Sequence, residues 1–300
     1  MTPQETGFLL LASSLGDPGR RPLTLAQLRT LGSRAAALRA RDMNRPLCLQ
    51  DLTQLGYGPQ EAGRILALLE QDGPVRAYLR RAWSLGIRCL TRISPGYPGR
   101  LTRALGREAP PVVWLLGDCS LLQAPCIAVV GSRELRPENR AFAAEAGAQI
   151  ARQGFTLVSG GARGADTAAQ EACRRAGGSA VVILADSLAV RAKTPPAPGL
   201  LYCSLDSYDL PFSSQRALGR NPVIHILAEK TLVAQTALRT GGTWAGTADN
   251  LKHGWSPVFL NDDGSAGARA LLERGAAPVT RKQLADLRSL TPAQCAFFAP

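Results

Sequence analysis

Residues 126–166 read CIAVVGSRELRPENRAFAAEAGAQIARQGFTLVSGGARGAD. Two short apolar runs, Cys126–Val130 and Phe155–Val158, each lead into a glycine-containing turn that carries an arginine. The turns are Gly131-Ser132-Arg133 and Gly160-Gly161-Ala162-Arg163-Gly164. An unbroken apolar run without alternation suits a strand covered on both faces. Pro137 to Gln153 lies between the runs and reads as a helix, with proline tolerated in its first turn. Strand, helix, strand in that order implies a right-handed crossover and a parallel sheet. Both turns then fall at the carboxyl edge of that sheet, where open α/β sheets hold ligands.

The pattern continues outward. Asp166–Ala176 reads as the second helix, Ala180–Leu184 as the third strand and Leu200–Cys203 as a fourth, after a proline-rich loop at 187–199. Ser213–Ala228 contains helical pieces, the second opened by Pro222. Thr231–Ala234 and Pro257–Leu260 read as strands. A helix runs from near Trp244 to Lys252, another covers Ala266–Arg274, and the tail from Thr280 forms one or two short helices. Upstream, Ile87–Leu90 and Val112–Leu116 are strand candidates around a short helix at Leu101–Leu105. Pro110-Pro111 suits an edge strand or its approach. Residues 1–85 read as helices at Gln4–Leu15, Leu25–Leu31 (capped by Thr24), Asn44–Leu55, Pro59–Glu70 and Pro74–Leu85. The expected division is a small helical, SAM-like domain at 1–85, an α/β domain at 86–276, and a short helical tail at 277–300 with no winged helix.

The chain has 300 residues, 45% of them apolar, with 35 Lys and Arg against 23 Asp and Glu, a net charge of +12. Mean hydropathy is near zero. Such a surface attracts polyanions, nucleic acid first and anionic lipid second. The plain alternative is compositional bias toward Arg, Ala, Gly and Leu. The N-terminus lacks the basic-then-apolar order of a secretory signal, and no apolar run is long enough to span a membrane. Seven cysteines, at 48, 89, 119, 126, 173, 203 and 295, show no CxxC or zinc-like spacing. Cys126 and Cys173 fall on faces expected to be buried. This pattern suggests a reduced, intracellular chain. Two histidines, His225 and His253, argue against a histidine-rich metal site.

Three turns carry the candidate site. Gly131 permits a tight turn, Ser132 offers a hydroxyl and an N–H, and Arg133 offers a fork of donors. Ser159, Gly160, Gly161, Arg163 and Gly164 precede a helix whose amides can cradle a phosphate. Gly241, Gly242 and Thr243 form the third turn, with Arg239 before it. Asp166 stands at a helix start, where its carboxylate supports the Arg163 loop. Arg216, Arg220 and Asn221 form a further polar group, and Tyr202, Tyr208 and Phe212 are candidate stacking platforms. His225 reads as a packed helix residue rather than a base. Each glycine read alone can simply end a strand or admit a helix. Neither the dinucleotide GxGxxG nor the GxxxxGK[ST] loop is present.

Together these segments resemble the DprA/Smf family, the bacterial DNA-processing proteins. The carriers are Gly131-Ser132-Arg133, then Gly154-Phe155-Thr156-Leu157-Val158-Ser159-Gly160-Gly161-Ala162-Arg163-Gly164-Ala165-Asp166. Arg220-Asn221-Pro222-Val223-Ile224 and Arg239-Thr240-Gly241-Gly242-Thr243 follow, and Tyr97-Pro98 and Pro110-Pro111-Val112 lead in. The resemblance spans roughly 85 to 262. It implies an extended Rossmann-like parallel sheet flanked by helices, with a small N-terminal helical domain. It further implies a cytoplasmic, dimeric protein that binds single-stranded DNA, helps load a RecA-type recombinase, and uses no cofactor, metal or catalytic residue. Pro222 stands where the family has a second arginine, and the 187–199 loop lacks the family's Tyr-Pro. Two rivals remain. One is a small-nucleotide sensor or phosphoribohydrolase-like enzyme, although Gly241-Gly242-Thr243-Trp244-Ala245-Gly246-Thr247 lacks the glutamate of that group. The other is a protein-interaction module with a basic face.

Overall fold

The structure is a computed structural model, described for residues 1–17, 19–36, 45–70, 72–205 and 207–292. Arg39, Arg41, Asn44, Asp206 and Cys295 lie outside the described residues.

Five helices come first: α1 (Pro3–Ala12), α2 (Leu25–Ala35), α3 (Leu49–Gln54), α4 (Pro59–Leu69) and α5 (Asp72–Ser84). Thr24 caps α2 reciprocally with Gln27, as a Thr-x-x-Gln sequence should. The third helix is shorter than its leucine pattern suggests. Its first turn begins only at Leu49, and the approach is fixed by the Arg45–Asp51 ion pair at 2.6 Å.

The remainder builds one nine-stranded sheet. In chain order the elements are β1 (Ile87–Thr91), α6 (Gly99–Leu105), β2 (Val112–Gly117), β3 (Cys126–Val130), α7 (Pro137–Arg152), β4 (Thr156–Ser159), α8 (Ala165–Arg175) and β5 (Ala180–Ile183). There follow α9 (Leu188–Arg191), β6 (Leu200–Ser204), α10 (Ser214–Gly219), α11 (Asn221–Leu227), β7 (Lys230–Val233), α12 (Gly241–His253), β8 (Val258–Leu260), α13 (Ala266–Leu272) and β9 (Ala277–Pro278). The spatial order is β1-β2-β6-β5-β4-β3-β7-β8-β9. β1 and β2 are antiparallel to their neighbours, and β6 through β9 run parallel. The fold is thus the α/β, Rossmann-like architecture expected. β2 is not an edge strand; it lies between β1 and β6, and Pro111 stands just before it. α9 interrupts the loop at 187–199, its first turn capped by the Ser187 hydroxyl. β9 lies in the segment expected to be helical, where a 3₁₀ turn at Gln283–Ala285 follows it.

The sheet is covered on both faces. Ile127 and Val129 pack with Phe142, Ile150 and Ala169 of α7 and α8 on one side. Ala128 and Val130, pointing the other way, pack with Leu101, Val223 and Trp244 on the other. α1 bridges two cores: Leu9 and Leu10 join the first face, while Leu11 joins a separate helical core with Leu28, Leu52 and Ile65. Cys126 and Cys173 are buried. Leu284, Leu287 and Leu290 also belong to the first face, and Lys230 Nζ donates to the Arg288 carbonyl at 2.9 Å, strapping the last described residues to β7. Among the described residues no helix is long and apolar enough to cross a membrane.

Candidate functional site

β3, β4 and β7 lie side by side in the order β4-β3-β7, so the loops after them meet at one sheet edge. The first two turns touch directly. Gly164 has φ +86°, and a Cβ there would sit 2.3 Å from the Ser132 carbonyl oxygen and 2.5 Å from that of Arg133. Only glycine tolerates both that φ and that approach. Ala165 N donates to the Ser132 carbonyl at 3.3 Å, and a Cβ on Gly131 would meet the Ala165 Cβ at 2.5 Å. Gln235, after β7, closes the group. Its carbonyl accepts from Ser132 N at 3.0 Å, while its Oε1 accepts from Arg136 N at 3.0 Å and Asn139 Nδ2 at 2.7 Å.

A cavity of about 700 Å³ opens beside these turns. Gly131, Ser132, Arg133, Asp166, Arg220, Asn221, Arg239, Gly241, Gly242 and Thr243 all contribute to its walls. Ten of the positions singled out in the sequence therefore share one wall system.

Arg220 is the centre of the electrostatics. It is only 8% exposed, its Nε is buried without a partner, and among the described residues its side chain makes no hydrogen bond or ion pair. Its guanidinium fills the space above Gly160, where a Cβ would lie 1.5 Å from Nη1. Burial lowers the Arg220 pKa, attraction to Asp166 opposes that, and repulsion from Arg133 adds to it; an arginine nonetheless stays charged. Asp166 is buried as well. Burial raises its pKa, against the pull of Arg220 and the N–H bonds it accepts. Its Oδ2 accepts from Gly160 N at 2.9 Å and Ala162 N at 3.2 Å, so it holds the second turn in shape. A buried cation lacking hydrogen bonds is costly until an anion supplies acceptors. Arg133 and Arg239 are exposed on the same cavity and have no partner among the described residues. Arg239 has φ +55°, an unusual conformation for a non-glycine residue.

Other sequence candidates fall elsewhere. Ser159 is fully buried and accepts a short hydrogen bond from Gln170. A Cβ on Gly161 would meet Val182 at 2.8 Å and Leu184 at 3.1 Å. Arg163 is exposed on the second turn but outside the cavity wall. Arg216, read in the sequence as an anion ligand, directs its guanidinium at groups of the protein itself. Its Nη1 donates to the carbonyls of Pro211 (2.7 Å), Leu210 (2.9 Å) and Ala185 (3.2 Å), and its Nη2 to Ser204 Oγ at 3.1 Å. Its donors are committed to holding the chain after β6. Gly241 and Gly242 are the first residues of α12, with Thr240 as its N-cap, so Thr243 lies inside the helix rather than capping it. Tyr208 is fully buried against Tyr78 and Trp114, and Tyr202 lies under Arg191; neither is a free platform. Phe212 is 53% exposed at the cavity rim.

Leu218 and His225 are among the wall residues that the sequence reading did not assign to the site. Leu218, 51% exposed, looked like an ordinary apolar helix position. His225 sits among Val223, Ile224, Ile226 and Leu227; it is buried, as a packed helix residue should be, and also borders the cavity. Burial and the nearby Arg220 push its pKa down to about 4, so it is neutral at pH 7. Among the described residues no cluster of His, Cys, Asp and Glu could hold a metal ion.

The family model of DNA recombination-mediator protein A matches residues 88–288. A DNA processing protein DprA of Mycobacterium tuberculosis is 30% identical over 189 residues, 58% of this chain and 48% of that protein. The chain thus spans about half the length of that curated relative. The structure of DNA processing protein A from Streptococcus pneumoniae superposes with a TM-score of 0.63 at 22% identity, over 87% of this chain and 96% of that one. DNA processing protein A from Helicobacter pylori, whose structure concerns its single-stranded DNA binding, gives 0.55 at 22% identity, over 66% and 94%. At such identities the two structures support the fold alone.

Proposed function

The chain belongs to the DNA recombination-mediator protein A family, and from that premise we propose that its cavity and adjoining turns bind the backbone of single-stranded DNA. The observation that carries this reading is Arg220, a buried cation near Asp166 whose side chain has no hydrogen-bond partner among the described residues, held over Gly160 and beside Arg133. A backbone phosphate seated there would accept from Arg220 and Arg133, and Arg163 and Arg239 would flank the strand on either side. Net positive charge would draw the polyanion in, and counterion release would make binding fall with salt.

The finer reading is a cytoplasmic, dimeric DNA-processing protein that protects single strands and passes them to a RecA-type recombinase, in recombination or natural transformation. It needs no catalytic residue. In the cavity the two non-arginine titratable groups, Asp166 and His225, are respectively tied to two backbone N–H groups and kept neutral. A nucleotide hydrolase would need a free acid poised for the leaving base. The test is titration of a labelled oligo-dT at two salt concentrations, beside an assay for base release from nucleoside monophosphates. Salt-sensitive binding without base release supports the proposal. Base release, or binding indifferent to salt and to Arg133→Ala, rejects it.

A further inference from the structure

α10 forms one side of the cavity through Ser214, Ala217 and Leu218, yet none of its 6 residues is buried. An element with few buried contacts opens easily, so its position depends on its attachments. At its far end Asn221 Nδ2 reaches the Gly242 carbonyl at 3.0 Å. At its start the Ser213 hydroxyl caps it, accepting from Arg216 N at 3.1 Å. The Arg216 side chain then runs back out of the helix. It donates to the carbonyls of Pro211 at 2.7 Å, Leu210 at 2.9 Å and Ser207 at 3.5 Å. α10 thus hangs from residues 207–211.

That segment is gripped in turn by the N-terminal helices. Tyr78 of α5 donates its hydroxyl hydrogen to Asp209 Oδ1 at 2.8 Å, and Ser207 Oγ donates to the same oxygen at 2.7 Å. The Tyr78 and Ser207 hydroxyls also touch each other. Arg81, one turn further along α5, pairs with Asp209 Oδ2 at 3.3 Å. Hydrogen bonds to a carboxylate are strong ones, whereas the Arg81 pair, 62% exposed on the arginine side, adds little. Tyr208 is fully buried, its ring 4.4 Å from that of Tyr78 and 5.0 Å from that of Trp114 on β2. Its Oη donates to the Tyr78 carbonyl at 3.0 Å. Gly16, beyond α1, has φ +77°, and a Cβ there would sit 2.8 Å from Asp209 Oδ1. The turn after α1 therefore closes over the same carboxylate.

We propose that the Tyr78 hydroxyl and Asp209 are positioning residues for strand binding. They fix residues 207–211, those residues fix Arg216, and Arg216 fixes the α10 side of the cavity. Neither side chain lines the cavity itself. The inference rests on the single-strand reading above and adds that α5, in the helical part of the chain, sets the affinity from outside the site. Such coupling is reciprocal, so a strand held against α10 also tightens the grip of α5 on Asp209.

The test pairs an oligo-dT titration with amide hydrogen exchange of the free protein. Tyr78→Phe keeps the ring and removes only the hydroxyl. Its affinity falls about fivefold, and the amides of residues 217–220 exchange about fivefold faster. Asp209→Asn loses the ion pair but keeps an acceptor for both hydroxyls, so it stays within about twofold of the unmutated protein in both measurements. Arg133→Ala weakens binding and leaves exchange at 217–220 unaltered. Faster exchange confined to α5 and residues 207–211 overturns the positioning role. So does faster exchange at 217–220 with unchanged affinity, or an Asp209→Asn variant as weak as Tyr78→Phe. If the unmutated protein binds no oligo-dT, the single-strand reading fails and the positioning role falls with it. Should Tyr78→Phe not fold, Ser207→Ala, which removes the other donor to Asp209 Oδ1, is read in the same way.

Discussion

The Arg220 guanidinium occupies the space that any side chain on Gly160 would need, with Nη1 1.5 Å from the ideal Cβ position. Gly160→Ala therefore displaces Arg220 rather than the backbone. The guanidinium ends a flexible chain and can swing aside, so the fold loses only about 1–2 kcal/mol. Oligonucleotide affinity falls by about tenfold or more, since the cation leaves the phosphate position. Urea unfolding and an oligo-dT titration check the two effects separately, and unchanged affinity would reject the cradle.

Gly164→Ala behaves differently. Its Cβ would strike two backbone carbonyl oxygens, at 2.3 and 2.5 Å, from a residue with φ +86°. Neither the oxygens nor the φ can yield cheaply, so the loss of stability is about 3 kcal/mol or more. A urea midpoint equal to that of Gly160→Ala contradicts this ranking.

Arg133→Ala removes an exposed side chain with no partner among the described residues. Stability stays within about 0.5 kcal/mol. Affinity drops about tenfold, and the slope of log affinity against log salt shrinks by about 0.7, the contribution of one phosphate of a single strand. Parallel salt titrations of the two proteins read the slope directly.

Arg216→Ala should unfold the chain more readily without removing a ligand contact. Its guanidinium serves the carbonyls of Ala185, Leu210 and Pro211. Their loss costs about 1–2 kcal/mol, because two part-buried acceptors are left unmet. A variant with normal stability and lost affinity would instead return Arg216 to the binding surface.

The folded His225 pKa of about 4 lies below the 6.5 of an ordinary histidine. Between these values the unfolded chain binds more protons than the folded one. Stability is thus complete above about pH 6.5 and is lost as pH falls toward 4, by up to about 3 kcal/mol from this group. Asp166, whose pKa is raised by burial, works in the opposite sense. Urea unfolding of the protein and of His225→Phe between pH 4 and 7 isolates the histidine, and equal pH slopes would exclude it.

The sheet centre was legible because its signals are local. Cys126–Val130 is an unbroken apolar run, and the glycine turn after it needs no tertiary information to be recognised. β9 was not legible: Ala277 and Pro278 are too few to show a period, and their pairing depends on β8. Arg216 and Arg220 make the limit plainest. They are the same residue four positions apart, yet one is saturated by carbonyls and the other has none. Only the path of the chain after β6 distinguishes them. His225 was hidden by its apolar neighbours, since its hydrogen bonds are to Asn250 on α12 and Thr231 on β7.

The contact of Gly164 with the carbonyls of Ser132 and Arg133 has an evolutionary consequence. Two turns some thirty residues apart in the chain share one wall, so neither can drift alone. A bulkier residue at 131 would be admissible only with a compensating change around 165, and substitutions at the two places would be non-additive. Variation in this part of the chain should therefore arrive in pairs, and transplanting either turn by itself into another scaffold would carry over neither shape.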